Sequence, residues 1–157
     1  MSELDFKKKE EELLPHLVDA TFLIADPTPT RRVLQRLLSA CKVKPSNIKT
    51  VDTDAEAIEQ IGLLRPNVVF ADHELPLKGG IELAQHHDRA VSSRHLKVFF
   101  LISDSDSAAL ANTIADENID ALLVRPLSLT GLKESVFAVL GRKIHPSDYM
   151  ATLQEGL

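Results

Sequence analysis

Between residues 21 and 142 a short apolar run gives way to an amphipathic segment five times. TFLIAD leads to TRRVLQRLLSACKV, IKTV to AEAIEQIGLL, NVVFA to GIELAQHHDRAV, KVFFLI to SAALANTIADEN, and ALLV to LTGLKESVFAVLGR. The short runs suit strands, whereas Val33, Leu34, Leu37, Leu38 and Cys41 recur at helical spacing. Strands with no polar face need cover on both sides, and parallel neighbours need a crossover that places helices there. Right-handed crossovers leave a doubly wound α/β sandwich with five parallel strands. A closed eight-unit barrel takes about 250 residues, and this chain has 157.

That length, with 44% hydrophobic residues, is enough for one well-buried core. A net charge of -5 argues against a surface that tracks nucleic-acid phosphates, which needs clustered Lys and Arg. Cys41 is the single cysteine, so no intrachain disulfide can form and a reducing cytoplasm is the expected location. No segment approaches the roughly 18 uninterrupted apolar residues of a membrane span, and the start, MSELDFKKKEEELL, lacks the apolar stretch of a secretion signal.

Three regions follow: an N-terminal helical extension over 1–19, a globular domain over 20–143 and a connecting segment over 144–157. Lys7 with Glu11 and Lys8 with Glu12 sit at i,i+4 spacing in the leading helix, predicted over 3–14 and ended or bent by Pro15. The charge run KKKEEE reads as a solvated face. Ser147, after Pro146, is placed to cap a further helix, as expected of a chain cut from a longer protein.

In an open parallel sheet the ligand site lies beyond the carboxyl ends of the strands, where strand order reverses. The first strand ends at Asp26, the third at Asp72, the fourth at Ser103 and Asp104, and the fifth at Arg125 and Pro126. A single strand-end aspartate is most often a turn former or helix cap. Two or three carboxylates, a hydroxyl and a fixed cation gathered on one edge are more than a set of turn formers.

These residues make the chain resemble a response-regulator receiver domain of the two-component systems, over about residues 20 to 143. FLIAD resembles the acidic end of the family's first strand and VVFADHELP its phosphoacceptor strand with the downstream proline. GGIEL resembles the start of its third helix, LIS the strand carrying Thr or Ser, and VRPL the end that normally reads Lys-Pro. The resemblance implies a flavodoxin-like sheet of order 2-1-3-4-5 and a phosphorelay signalling module, not an enzyme. It also implies that Asp72 accepts a phosphoryl group from a histidine kinase or phosphotransfer protein, with Ser103 and Arg125 contacting that group. Magnesium would be held by Asp26, Asp72 and the backbone carbonyl of Glu74. The implied outcome is switching of a downstream protein or a C-terminal output domain, with a homodimer as a further possibility and with no nucleic acid or membrane as partner.

Three positions depart from the family pattern. Pro27 stands where a second acid usually follows the first strand, and it offers neither carboxylate nor N–H. Arg125 stands for lysine, keeping the charge but not the shape. Leu122 stands where many receivers carry an aromatic toggle. Pro27 and Leu122 support an alternative, a non-phosphorylated pseudo-receiver that acts as an interaction module through its fourth and fifth helices. Asp104 either compensates for the lost ligand, points away or repels the phosphoryl group. ADPTPT resembles the phosphate loop of flavodoxins, but its two prolines remove amides that such a loop uses, so a flavin carrier is a poor fit. His86 and His87 read as an exposed polar face, Cys41 as a small core residue, and Phe99 and Phe100 as core strand residues.

Overall fold

The computed structural model describes residues 2–75, 79–92, 94–104 and 118–144. The helix expected over SAALANTIADEN, of which only Asn118 is described, the cap at Ser147 and Pro76 lie outside the described residues.

Five strands form one parallel sheet: β1 (Phe22–Ala25), β2 (Ile48–Val51), β3 (Val68–Asp72), β4 (Val98–Ser103) and β5 (Ala121–Val124). Their order is β2-β1-β3-β4-β5, the doubly wound arrangement expected from the alternation. The helices are α1 (Glu3–Val18), α2 (Thr30–Ala40), α3 (Asp54–Leu64), α4 (Gly79–Ala90) and α5 (Leu129–Ile144). IKTV and ALLV match β2 and β5 residue for residue.

The two-residue period of the strands divides the core. Phe22 and Ile24 of β1 join Leu34 and Leu38 of α2 and Leu132 and Phe137 of α5 on one face. Leu23 and Ala25 join Ala57 and Ile61 of α3 and Leu83 and Ala84 of α4 on the other. The central strands β1, β3 and β4 are buried throughout, as expected of strands covered on both faces. The edge strands differ: Lys49 of β2 and Val124 of β5 are exposed, because each lacks a neighbour on one side.

Ser2 caps α1, its hydroxyl accepting from the Asp5 amide at 3.2 Å. Pro15 does not end this helix, which runs on to Val18. Proline there deprives the Glu11 carbonyl of its partner, but Pro15 is on the exposed side, where water can satisfy it. Leu13 and Leu17, one turn apart, carry the buried stripe past it. The stripe docks α1 on α5 through Phe6 against Phe137, with ring centroids 5.6 Å apart, and through Lys133 and Glu10 at 3.0 Å. Burying a leucine-sized side chain contributes about 1.5–3 kcal/mol, so Leu13 and Leu17 outweigh that single half-buried ion pair.

His87 also departs from the sequence reading. It is buried, 1% exposed, and its Nε2 lies 2.7 Å from the Pro66 carbonyl, to which a neutral ring donates. Burial pushes its pKa below the ordinary histidine value; the Pro66 bond and the Asp120 and Asp88 charges oppose this, while Lys97 adds to it. The unfolded chain takes up this proton near pH ~6.5, whereas the folded chain resists it. The stability His87 carries is therefore complete above that pH and is lost as pH falls toward the lowered folded value. Denaturation midpoints followed downward from neutral pH are expected to fall less steeply in His87→Gln than in the native protein. Equal slopes would remove His87 as the cause.

Candidate functional site

Strand register brings the two main carboxylates together. Ala25 of β1 pairs with Ala71 of β3, so the next residues, Asp26 and Asp72, stand side by side at the carboxyl edge. Both are buried, Asp26 at 0% and Asp72 at 6% exposure. The same local device holds each of them. Asp26 Oδ1 accepts from the Thr28 amide at 2.7 Å and the Thr28 hydroxyl at 2.6 Å. Asp72 Oδ1 accepts from the Glu74 amide at 2.7 Å. A carboxylate bonding the amide two residues on is an Asx turn, which turns the chain out of the strand. Gly80 in α4 meets the same strand end: a Cβ there would lie 2.6 Å from the Asp72 carbonyl oxygen.

Two buried carboxylates side by side repel, and a cation between them relieves that repulsion. Arg125 supplies it. From the end of β5 it reaches past the end of β4, and its Nη2 donates to Asp26 Oδ2 at 2.8 Å and also to Asp72 Oδ2. Its Nε donates to the Thr30 hydroxyl at 2.8 Å and its Nη1 to Asp104 Oδ1 at 3.2 Å. Its backbone amide donates to the Ser103 carbonyl at 2.9 Å. A planar fork of N–H donors can serve several acceptors in one plane; a lysine ammonium is a single point charge. Burial by itself would lower the guanidinium pKa, but the hydrogen bond to Asp72 and the charges of Asp26 and Asp72 prevail and raise it. The cation is permanent.

Asp26, Asp72, Asp104 and Arg125 are thus brought into one cluster, and Ser103 ends β4 one residue beyond Ile102, the partner of Asp72. Glu74 is exposed and contributes its amide to Asp72. Asp104 neither points away nor stands apart: it is the third carboxylate on the guanidinium. In sequence Thr28 and Thr30 stood out only within ADPTPT, as a poor phosphate loop, although Asp-Pro-Thr carries the Asx-turn signature that marks Thr28. An open cleft of about 650 Å³ lies over the cluster, lined among others by Pro29, Val33, Asp72, Glu74 and Arg125.

Magnesium needs octahedral oxygen ligands at about 2.0–2.1 Å. In Asp26 and Asp72 all four carboxylate oxygens already accept hydrogen bonds, and the two facing inward are taken by Arg125. Pro27 adds no ligand, and no group of three or more His, Cys, Asp or Glu side chains among the described residues is placed to hold a metal ion. The donor set does not fit a divalent ion in this arrangement, because a guanidinium fills the place between the carboxylates.

No family model matches the sequence, and no curated protein does. Solved structures do match. A two-component response regulator from Clostridium difficile superposes with a TM-score of 0.67 at 19% identity, covering 79% of this chain and 98% of that one. The fold is that of a receiver domain. The chemotaxis protein CheY4 of Vibrio cholerae gives 0.63 at 17% identity over 76% of this chain and 98% of its own. The receiver domain of a Pseudomonas aeruginosa sensor histidine kinase, described with magnesium in its active-site cleft, gives 0.64 at 13% identity over 78% and 98%. In this receiver fold no helix among the described residues is long and apolar enough to cross a membrane.

Proposed function

We propose that this chain is a receiver-fold signalling module that acts by protein contact, with Arg125 as the built-in cation of its acidic cleft. It is a pseudo-receiver in the cytoplasm and not an enzyme. The observation that carries this reading is the Arg125 guanidinium bonded to both Asp26 and Asp72. Phosphoryl transfer works by positioning and by neutralising charge on the transferred group. Here the cation is already committed, and each oxygen of Asp72 already accepts a hydrogen bond, which weakens it as a nucleophile toward phosphorus. Its partners are then proteins that read a constant surface: a sensor kinase, a phosphotransfer protein or an output domain.

A second reading keeps Asp72 as phosphoacceptor. It is favoured by the cleft that opens over Asp72 and by the hydroxyl-bearing Ser103 on the adjoining strand. In that case a carboxylate oxygen of Asp72 attacks the phosphorus of a phosphohistidine, the P–N bond breaks, and the nitrogen keeps the electron pair. Intact-mass measurement after incubation with acetyl phosphate and magnesium separates the two. The expected result is an unchanged mass and an unchanged melting temperature with magnesium. A gain of one phosphoryl group that Asp72→Ala abolishes would establish the second reading instead.

A further inference from the structure

The chain's charge is segregated about one edge of the sheet. Residues 30–51, covering α2 and β2, hold Arg31, Arg32, Arg36, Lys42, Lys44 and Lys49 and no acidic residue, in a chain of net charge -5. Residues 52–64, covering α3, hold Asp52, Asp54, Glu56 and Glu59 and no basic residue. α2 covers one face of the sheet and α3 the other, and β2, the edge strand, runs between them. Arg32, Arg36, Glu56 and Glu59 are all exposed, and none takes part in an ion pair among the described residues. Arg31 and Asp52 are paired with each other and contribute less to either face.

From this arrangement we infer that two copies of the chain associate about a two-fold axis lying along the β2 edge. The basic face of α2 in each copy then rests on the acidic face of α3 in the other. A rotation about an axis parallel to the strands exchanges the two faces of the sheet and leaves height along the strands unchanged. The heights agree. Ala25 and Val51 pair across β1 and β2, and α2 and α3 each follow those ends and are each 11 residues long. Counted from Thr30 and Asp54, Arg32 and Glu56 are both third in their helices, and Arg36 and Glu59 are seventh and sixth. Leu63, 70% exposed near the end of α3, comes level with the end of α2 and gains apolar cover.

The partner is a second copy because the chain carries both halves of the contact, and an isologous interface uses each of them twice. An acidic protein or a nucleic acid would match α2 and be repelled by α3. Lys49 on the β2 edge discourages direct strand pairing, so helix faces make the contact.

Sedimentation velocity on the whole chain tests this. A concentration-dependent dimer is expected at low salt that dissociates at about 1 M, where charges are screened beyond about 3 Å. Arg32→Glu/Arg36→Glu and Glu56→Lys/Glu59→Lys are each expected to weaken dimerisation at least about tenfold, since like charges then face each other. An equimolar mixture of the two variants restores the dimer, because each half-interface again joins opposite charges. Melting curves of both variants check that they are folded. A monomer at every salt and concentration, a dimer that survives both reversals, or a mixture that stays monomeric would overturn the inference.

Discussion

Arg125→Ala is expected to lose about 3 kcal/mol of stability at neutral pH, the lower end of the cost of removing one partner from a buried ion pair. For a chain of this size that is a fall of roughly 6–12 °C in melting temperature. The cause is the pair left behind: Asp26 and Asp72, at 0% and 6% exposure, lose the charge between them. The decisive readout is magnesium. With the guanidinium gone, the inward oxygens of both carboxylates are open, so the variant is expected to gain stability with added magnesium where the native protein does not. At a magnesium concentration of 100 times Kd the recovery is about 2.7 kcal/mol. A variant as stable as the native protein, or one indifferent to magnesium, would remove Arg125 from the role of internal cation.

The second large effect is a gain of chemistry. Pro27→Asp/Arg125→Lys supplies a third carboxylate beside Asp26 and replaces the fork with a compact ammonium that cannot span both aspartates in the same way. The cleft then offers hard oxygen ligands for magnesium and leaves Asp72 accessible. Acetyl phosphate with magnesium is expected to add one phosphoryl group to this variant, and Asp72→Ala in the same background to prevent it. Intact mass reads both. If the double variant binds magnesium in titration and still stays unmodified, something other than the lost ligand and the guanidinium holds Asp72 back.

The two experiments act on different strand ends, and the sequence exposed these ends unequally. Asp26, Asp72, Ser103 and Arg125 were legible as a set because each follows an apolar run, and strand ends in a parallel sheet share an edge. Pro27 was legible as a missing ligand. The two local Asx turns were not read, although Thr28 follows Asp26 at the spacing they need. His87 was misjudged for a different reason: two adjacent polar residues on a helix suggest one wet face, yet successive positions are about 100° apart. His87 turns inward to the Pro66 carbonyl while Arg89 lies exposed. Pro15 was read as ending or bending its helix because its local cost is visible in sequence, whereas the docking of Leu13 and Leu17 that carries the helix past it is not.

The sequence by itself determined the alternation of strand and helix, hence a parallel sheet with its ligand edge at the strand ends. Periodicity and chain length are local quantities, and handedness limits the rest. It also determined which charged side chains reach that edge. Only the tertiary structure decided what they do to one another. Arg125 and Asp26 are 99 residues apart, and whether a guanidinium lies between two carboxylates depends on the register of β1 against β3 and on the reach of a side chain past the end of β4. No local pattern encodes that distance, and it is what puts a cation of the chain's own between the two carboxylates.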